Sequence, residues 1–190
     1  MTQMFDKEGR VIPVTVLKAG PVVVTQVKTM DKDKYNAVQI GFGKKTKISK
    51  AAAGHTKDLG KFKIMAEFRT DDVANFTRGQ IIKADFFATG DNVKVTGQMK
   101  GRGFAGPIKK YGFHGAPASH GHDHPRAVGS IGQRFPQHTR KGLRMAGHMA
   151  GSRTVKNLKI VEVDAKRNLI AVSGAVPGAP GNIIKIQTVK

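Results

Sequence analysis

The sequence runs to 190 residues, enough for one domain with a sizeable core or two small ones. Lysine and arginine number 33 against 13 aspartates and glutamates, a formal charge of +20. Hydrophobic residues make up 39%, which excludes a disordered composition, and the absence of cysteine excludes disulfides and thiolate metal sites or nucleophiles. No run approaches the roughly 18 apolar residues of a membrane span, and "MTQMFDKEGR" lacks a signal peptide's apolar stretch; the absence of cysteine suits a cytoplasmic protein. At this charge density self-repulsion opposes compaction unless a polyanion neutralises it. Nucleic acid comes first; an anionic membrane would want an amphipathic basic helix, and none is found.

In chain order, "VIPVTVLKA" (11–19), "PVVVTQVKT" (21–29) and "YNAVQIGFG" (35–43) are β-branched runs that predict strands. Gly20-Pro21 and the polar turn 31–34 separate them. The basic stretch 44–58 holds a short helix at 49–53, and a strand resumes at 64–70. Thr70, Asp71 and Asp72 cap a helical turn. "QIIKADFFA" (80–88) and "NVKVTGQM" (92–99) read as strands. Near the end, "VKNLKIVEVD" and "NLIAVSGAV" form a hairpin through Ala165-Lys166-Arg167, and 182–189 makes a last strand. Six or more short strands with little helix predict a closed barrel or a sandwich.

Between these flanks the chain changes character. From Asn92 to Val161 the single acidic residue is Asp123, against 13 lysines and arginines. Six of the seven histidines fall there, and between Gly97 and Arg153 only Ile108, Val128, Ile131 and Leu143 are branched aliphatics. Such a segment cannot offset its own ordering entropy by burying apolar surface, so something outside it must hold it. It reads as a long basic arm projecting from a β core built of both chain ends. Loops this long are uncommon in compact domains unless they are functional or disordered.

Its motifs admit several chemistries. His120, His122, Asp123 and His124 in "SHGHDHPR" are metal-ligand types. However, alternate positions share a face only on a strand, which Gly121 and Pro125 oppose, and no second ligand pair lies at a zinc-finger spacing. Imidazoles also donate to phosphate and stack on bases without a metal. Gly101, Gly103 and Gly106 resemble a dinucleotide fingerprint, but Pro107 and the lysines and glycines after it do not promise the helix it needs. The better reading is cations interleaved with aromatics on glycine: Lys100, Arg102, Phe104, Lys109, Lys110, Tyr111, Phe113 and His114 facing RNA. For Phe104 and Phe113 a second reading stands beside it, in which the rings pack against the barrel rim. Ser119, His120 and Asp123 are residue types of a triad, yet near neighbours in a loop do not give its geometry. No enzyme and no cofactor are expected.

Longer motifs narrow this further. "KGRGFAGPIKKYGF", "RAVGSIGQR", "RKGLRMAGHMAGSRTVKNLKIVEVD" and "NLIAVSGAVPG" resemble the bacterial type of the large-subunit ribosomal protein three family, as does the opening "MTQMFDKEGRVIPVTVL". The resemblance covers nearly the whole chain in order. It implies a structural constituent of the large ribosomal subunit, binding 23S rRNA directly and early in 50S assembly. The implied fold is mainly β, a six-stranded translation-protein-type β-barrel with a small helical insertion and a long basic arm. On this sequence the core is 1–100 and 154–190 with the insertion at about 44–79. The extension, 101–153, reaches towards the peptidyl transferase centre. The RNA-facing set then also takes in His120, Arg126, Gln133, Arg134, Arg140, Lys141, Arg144, His148 and Arg153. Partners implied are rRNA and the fourteenth and nineteenth large-subunit proteins. The family usually opens with a "GxxGxKxGMT" strand ahead of the position of Met1, and many relatives carry glutamine, methylated in some bacteria, where His148 stands. A translation-factor-like or RNA-modifying protein with a basic arm is the alternative; a nucleotide-binding loop would mark it, and none is found.

Overall fold

The computed structural model describes residues 1–189 and is mainly β. Its strands are β1 (Thr2–Phe5), β2 (Val11–Lys18), β3 (Val22–Lys28), β4 (Ala37–Lys44), β5 (Phe62–Arg69), β6 (Ile81–Ile82), β7 (Asn92–Gln98), β8 (Phe104–Ala105), β9 (Gly147–His148), β10 (Ser152–Asp164), β11 (Leu169–Ser173) and β12 (Ile184–Thr188). The helices are short: α1 (Met30–Asp33), α2 (Lys50–Thr56) and α3 (Pro107–Tyr111). One sheet has six strands in the order β1-β2-β11-β10-β7-β12, a second has four in the order β5-β4-β3-β6, and β8 pairs with β9. Among the described residues these pairings leave both sheets open; none joins their end strands into a ring.

The chain divides into two compact units. One comprises 1–94, 156–175 and the residues from Gln187 onward; the other comprises 95–155 and 176–186. In the first, β2 pairs with β11 from Val14↔Ser173 to Lys18↔Leu169, and β11 with β10. Period-two alternation puts Val14, Ile160, Ile170 and Val172 fully inside. The β1–β2 hairpin is an element that local sequence does not announce. Thr2–Phe5 lacks a β-branched run and is fixed instead by its turn, where Asp6 Oδ1 accepts from the Glu8 and Arg10 backbone N–H at 2.9 and 2.8 Å.

The second sheet lies wholly in this unit. A register shift between Val24 and Gln26 places Thr25 at a bulge, with its hydroxyl donating to the Gln39 side chain at 2.8 Å. Arg78 Nε donates to the Thr25 carbonyl at 3.2 Å. The strand expected over 80–88 is corrected to two residues, Ile81–Ile82, followed by a 3-10 turn at Ala84–Phe86. Ile82 pairs with Val22, and the next partner along that strand would be Pro21, which has no N–H to donate. The helix expected at 49–53 is α2, with the Ser49 hydroxyl accepting from Ala52 N–H at 3.3 Å. After Thr70–Asp72 comes one 3-10 turn, Val73–Asn75, without a side-chain cap.

One ion pair in this sheet is linked to pH. Lys28 Nζ lies 2.8 Å from Glu67 Oε1 and 2.6 Å from the Tyr35 hydroxyl, which itself donates to Glu67 Oε2 at 2.9 Å. Lys28, then Tyr35, hold the Glu67 carboxyl below its ordinary range, and Glu67, then Tyr35, push Lys28 up. A depressed carboxyl stabilises the fold above its unfolded-state pKa of about 4.3 and stops doing so as pH falls through the folded value. Glu67→Gln therefore lowers the melting temperature at pH 7 by a few degrees at most, because water screens a carboxylate whose side chain is 35% exposed. The gap closes on acidification below the ordinary carboxylate range. A melting-temperature series across pH that shows a constant gap contradicts this linkage.

In the second unit Val95 is fully buried, and Gly97 is a steric requirement. A Cβ on Gly97 would sit 2.7 Å from the Pro177 carbonyl oxygen and 3.0 Å from Ile184 Cγ2.

Candidate nucleic-acid interface

Within the second unit the arm begins as a narrow ribbon. Met99 N–H donates to Gly151 O at 3.0 Å, Arg102 N–H to Met149 O at 2.9 Å, and Met149 N–H to Gly103 O at 2.8 Å. Phe104 then pairs with His148 and Ala105 with Gly147. Next comes α3, a correction to the expectation that "PIKKYG" would not be helical. Pro107 occupies the first helical position, where no N–H is missed, and Gly112 ends the turn at φ 76°, donating to Ile108 O at 2.9 Å. Five residues are too few for a dinucleotide fold's helix.

Beyond Gly112 regular structure stops until β9. Ala116 N–H donates to Pro125 O at 2.9 Å, closing a loop that carries His120, His122, Asp123 and His124. Gly115 (φ 75°) makes this approach possible, since a Cβ there would collide with the Pro125 carbonyl. All four loop side chains are exposed, and no group of three histidines or carboxylates among the described residues is gathered to hold a metal ion.

Of the residues expected to face RNA, Lys110 and Phe113 are half-buried; Lys100, Arg102, Phe104, Lys109, Tyr111, His114, His120, Arg126, Gln133, Arg134, Arg140, Lys141, Arg144, His148 and Arg153 are exposed. The two readings of the rings now separate. Phe104 is 75% exposed, so it does not pack on a rim, whereas Phe113 lies 6.1 Å from Tyr111 at a 38° tilt. Arg144, which follows Tyr111 by more than thirty residues, brings its guanidinium to 5.8 Å from that ring's centroid, and Lys110 Nζ lies at 5.2 Å. Lys110, Tyr111, Phe113 and Arg144 thus form one cation–aromatic group, and cation–π attraction holds it. Phe135, 65% exposed with Arg134 5.6 Å from its centroid, joins the exposed aromatics although the sequence pattern does not single it out. The adjacent Arg-Phe pair in "GQRFPQ" is the one local signal for it.

The electrostatics are one-sided. Among the described residues, no arm cation is held in an ion pair; the pairs found are Arg10 with Asp6 and Glu8, Lys28 with Glu67, and Arg167 with Asp164. Exposed guanidinium and ammonium groups, flat rings and a close-approach glycine backbone can bind phosphates and stack on unpaired bases.

The family model for ribosomal protein L3 matches residues 44–172. The chain is 48% identical over 194 residues to large ribosomal subunit protein uL3 of Thermosipho africanus (strain TCF52B), spanning all of this chain and 94% of that relative. Against the protein of the same name from Thermotoga maritima the identity is 47%, over all of this chain and 93% of the relative. Against that of Acidothermus cellulolyticus it is 47%, over 99% and 88%. Identity near one half along the whole chain, together with the family match, means that the chain belongs to the ribosomal protein L3 family.

Proposed function

We propose that this chain is a structural constituent of the large ribosomal subunit that binds 23S rRNA directly, early in 50S assembly, through the arm 101–153. The observation that carries the reading is the exposed, acid-poor arm, whose cations form no ion pair among the described residues. In this reading the arm threads between rRNA helices towards the peptidyl transferase centre. Its cations meet phosphates and position the protein, while Phe104, Tyr111, Phe113 and Phe135 offer faces to splayed bases. Residues 1–100 and 154–190 form the core domain, with an insertion at about 44–79. The six-stranded sheet is read as the translation-protein-type barrel, a reading supported by its strand count. Neighbouring large-subunit proteins, the fourteenth and nineteenth among them, are its protein partners, and its place is the cytoplasmic ribosome. The family is a structural component and not an enzyme.

The test is selective binding. Full-length protein is titrated with transcripts of large-subunit and small-subunit rRNA at one salt concentration. The expected preference for the large-subunit transcript is roughly 10³-fold, the lower end of the usual gap between specific and non-specific binding. Equal affinity for both would overturn the reading.

A further inference from the structure

Outside the arm, the most strongly charged surface is the stretch 44–63. It holds seven lysines, Lys44, Lys45, Lys47, Lys50, Lys57, Lys61 and Lys63, against one acid, Asp58, and all eight side chains are exposed. The fold concentrates four of them at one end of the β4–β5 pair. Lys44 lies opposite Phe62 in register, Lys45 N–H donates to Lys61 O at 3.1 Å, and Lys61 Nζ donates to Thr46 O at 3.4 Å. A Cβ on Gly43 would meet that of Lys63 at 3.3 Å, so the Lys63 stem crosses beside the strand carrying Lys44.

The helix between these lysines is held by other side chains. Helix α2, which begins with Lys50, is tied to the sheet by His55 Nε2 and Gln39 Oε1 at 2.8 Å. Gln39 Nε2 donates to Glu67, so Gln39 Oε1 is the acceptor and His55 must carry its hydrogen on Nε2. Thr56, at the helix end, is 1% exposed and donates to Ala52 O at 3.1 Å. Like charges held side by side at the end of neighbouring strands repel, and a bound polyanion relieves that repulsion.

We infer that the lysine-bearing end of the β4–β5 pair, Lys44, Lys45, Lys61 and Lys63, is a second phosphate-backbone contact for RNA, made by residues outside the arm. The inference rests on the proposed rRNA binding and adds to it a site at the end of two paired strands, whose backbone is already ordered before contact. Phosphate contacts fix position and carry no sequence information. The site therefore contributes to affinity and salt dependence, and not to the choice of sequence.

The test uses the full chain with Lys44, Lys45, Lys61 and Lys63 all changed to Gln, titrated with the large-subunit rRNA transcript from low to high salt. The slope of log K against log salt should flatten by roughly 0.7–0.9 for each phosphate left without its lysine, about three in all. Circular dichroism should show an unchanged fold. A control chain with Lys32→Gln and Lys34→Gln, lysines interleaved with Asp31 and Asp33, should keep the wild-type slope. An equal change per charge in the control would mean that net charge alone acts, and would overturn the site. So would an unchanged slope in the four-lysine variant, including the case where that variant loses binding to poly-glutamate, which would mark the surface as one for acidic protein. If the wild-type chain shows no preference for the large-subunit transcript, the proposed function fails; if it does and the variant matches it, only this inference fails.

Discussion

Changing Arg134, Arg140, Lys141 and Arg144 to glutamine is expected to flatten the salt dependence of large-subunit rRNA binding by roughly three log units per log unit of salt. All four side chains are exposed, and the arm offers them a single carboxylate, Asp123. A protein making 6–10 phosphate contacts becomes roughly 10³–10⁵ weaker in binding between 50 and 200 mM salt, so removing four should visibly shallow that fall. Arg144 has a second role: its guanidinium sits 5.8 Å from the Tyr111 ring. Arg144→Lys should therefore keep the slope but lose the planar stacking, and weaken binding without changing its salt dependence. An unchanged slope in the four-residue variant would show that these side chains do not meet phosphates.

The other large effect comes from removing the arm. Arg102 and Met149 are joined by a backbone hydrogen bond of 2.9 Å, so a short Gly/Ser turn can replace 103–148 without moving either end. The fully buried aliphatics Val14, Val24, Val93, Val95, Ile160, Ile170 and Val172 all lie outside the deleted stretch, which takes with it Ala105 and Pro107 from the interior. The shortened chain should unfold in one cooperative thermal transition, with its melting temperature lowered modestly. Its affinity for the large-subunit transcript should drop by about a hundredfold or more, as expected when many phosphates are released together. Absence of the cooperative transition would contradict the division between core and arm.

Both predictions start from features that the sequence displays locally. The β-branched runs at 11–19, 21–29 and 35–43 correspond to β2, β3 and β4, because alternation and β-branching are properties of neighbouring residues. The arm is visible as a charge imbalance, which needs no three-dimensional knowledge. What stays hidden depends on contacts between distant residues. The strand expected at 80–88 ends after Ile82 because its neighbour runs into Pro21, about sixty positions earlier in the chain. β1 forms through a side-chain-tied turn, and α3 through a proline and a glycine that look like breakers but serve as its first residue and its cap. The meeting of Tyr111 and Arg144 follows from the ribbon that pairs Phe104 with His148, a pairing that two-residue strands do not announce. Phe135 escapes notice in the sequence because one aromatic among glycines and prolines carries no period.

The most direct measurement of the central claim is hydroxyl-radical footprinting of large-subunit rRNA, with the full-length chain and with the chain in which 103–148 is replaced by a short turn. The full chain should protect two groups of backbone positions. The group due to the arm should vanish on shortening, and the group due to the core should persist, at protein concentrations raised to compensate for the weaker binding. Identical footprints from the two chains would contradict the account, because they would mean that the arm does not enter the RNA.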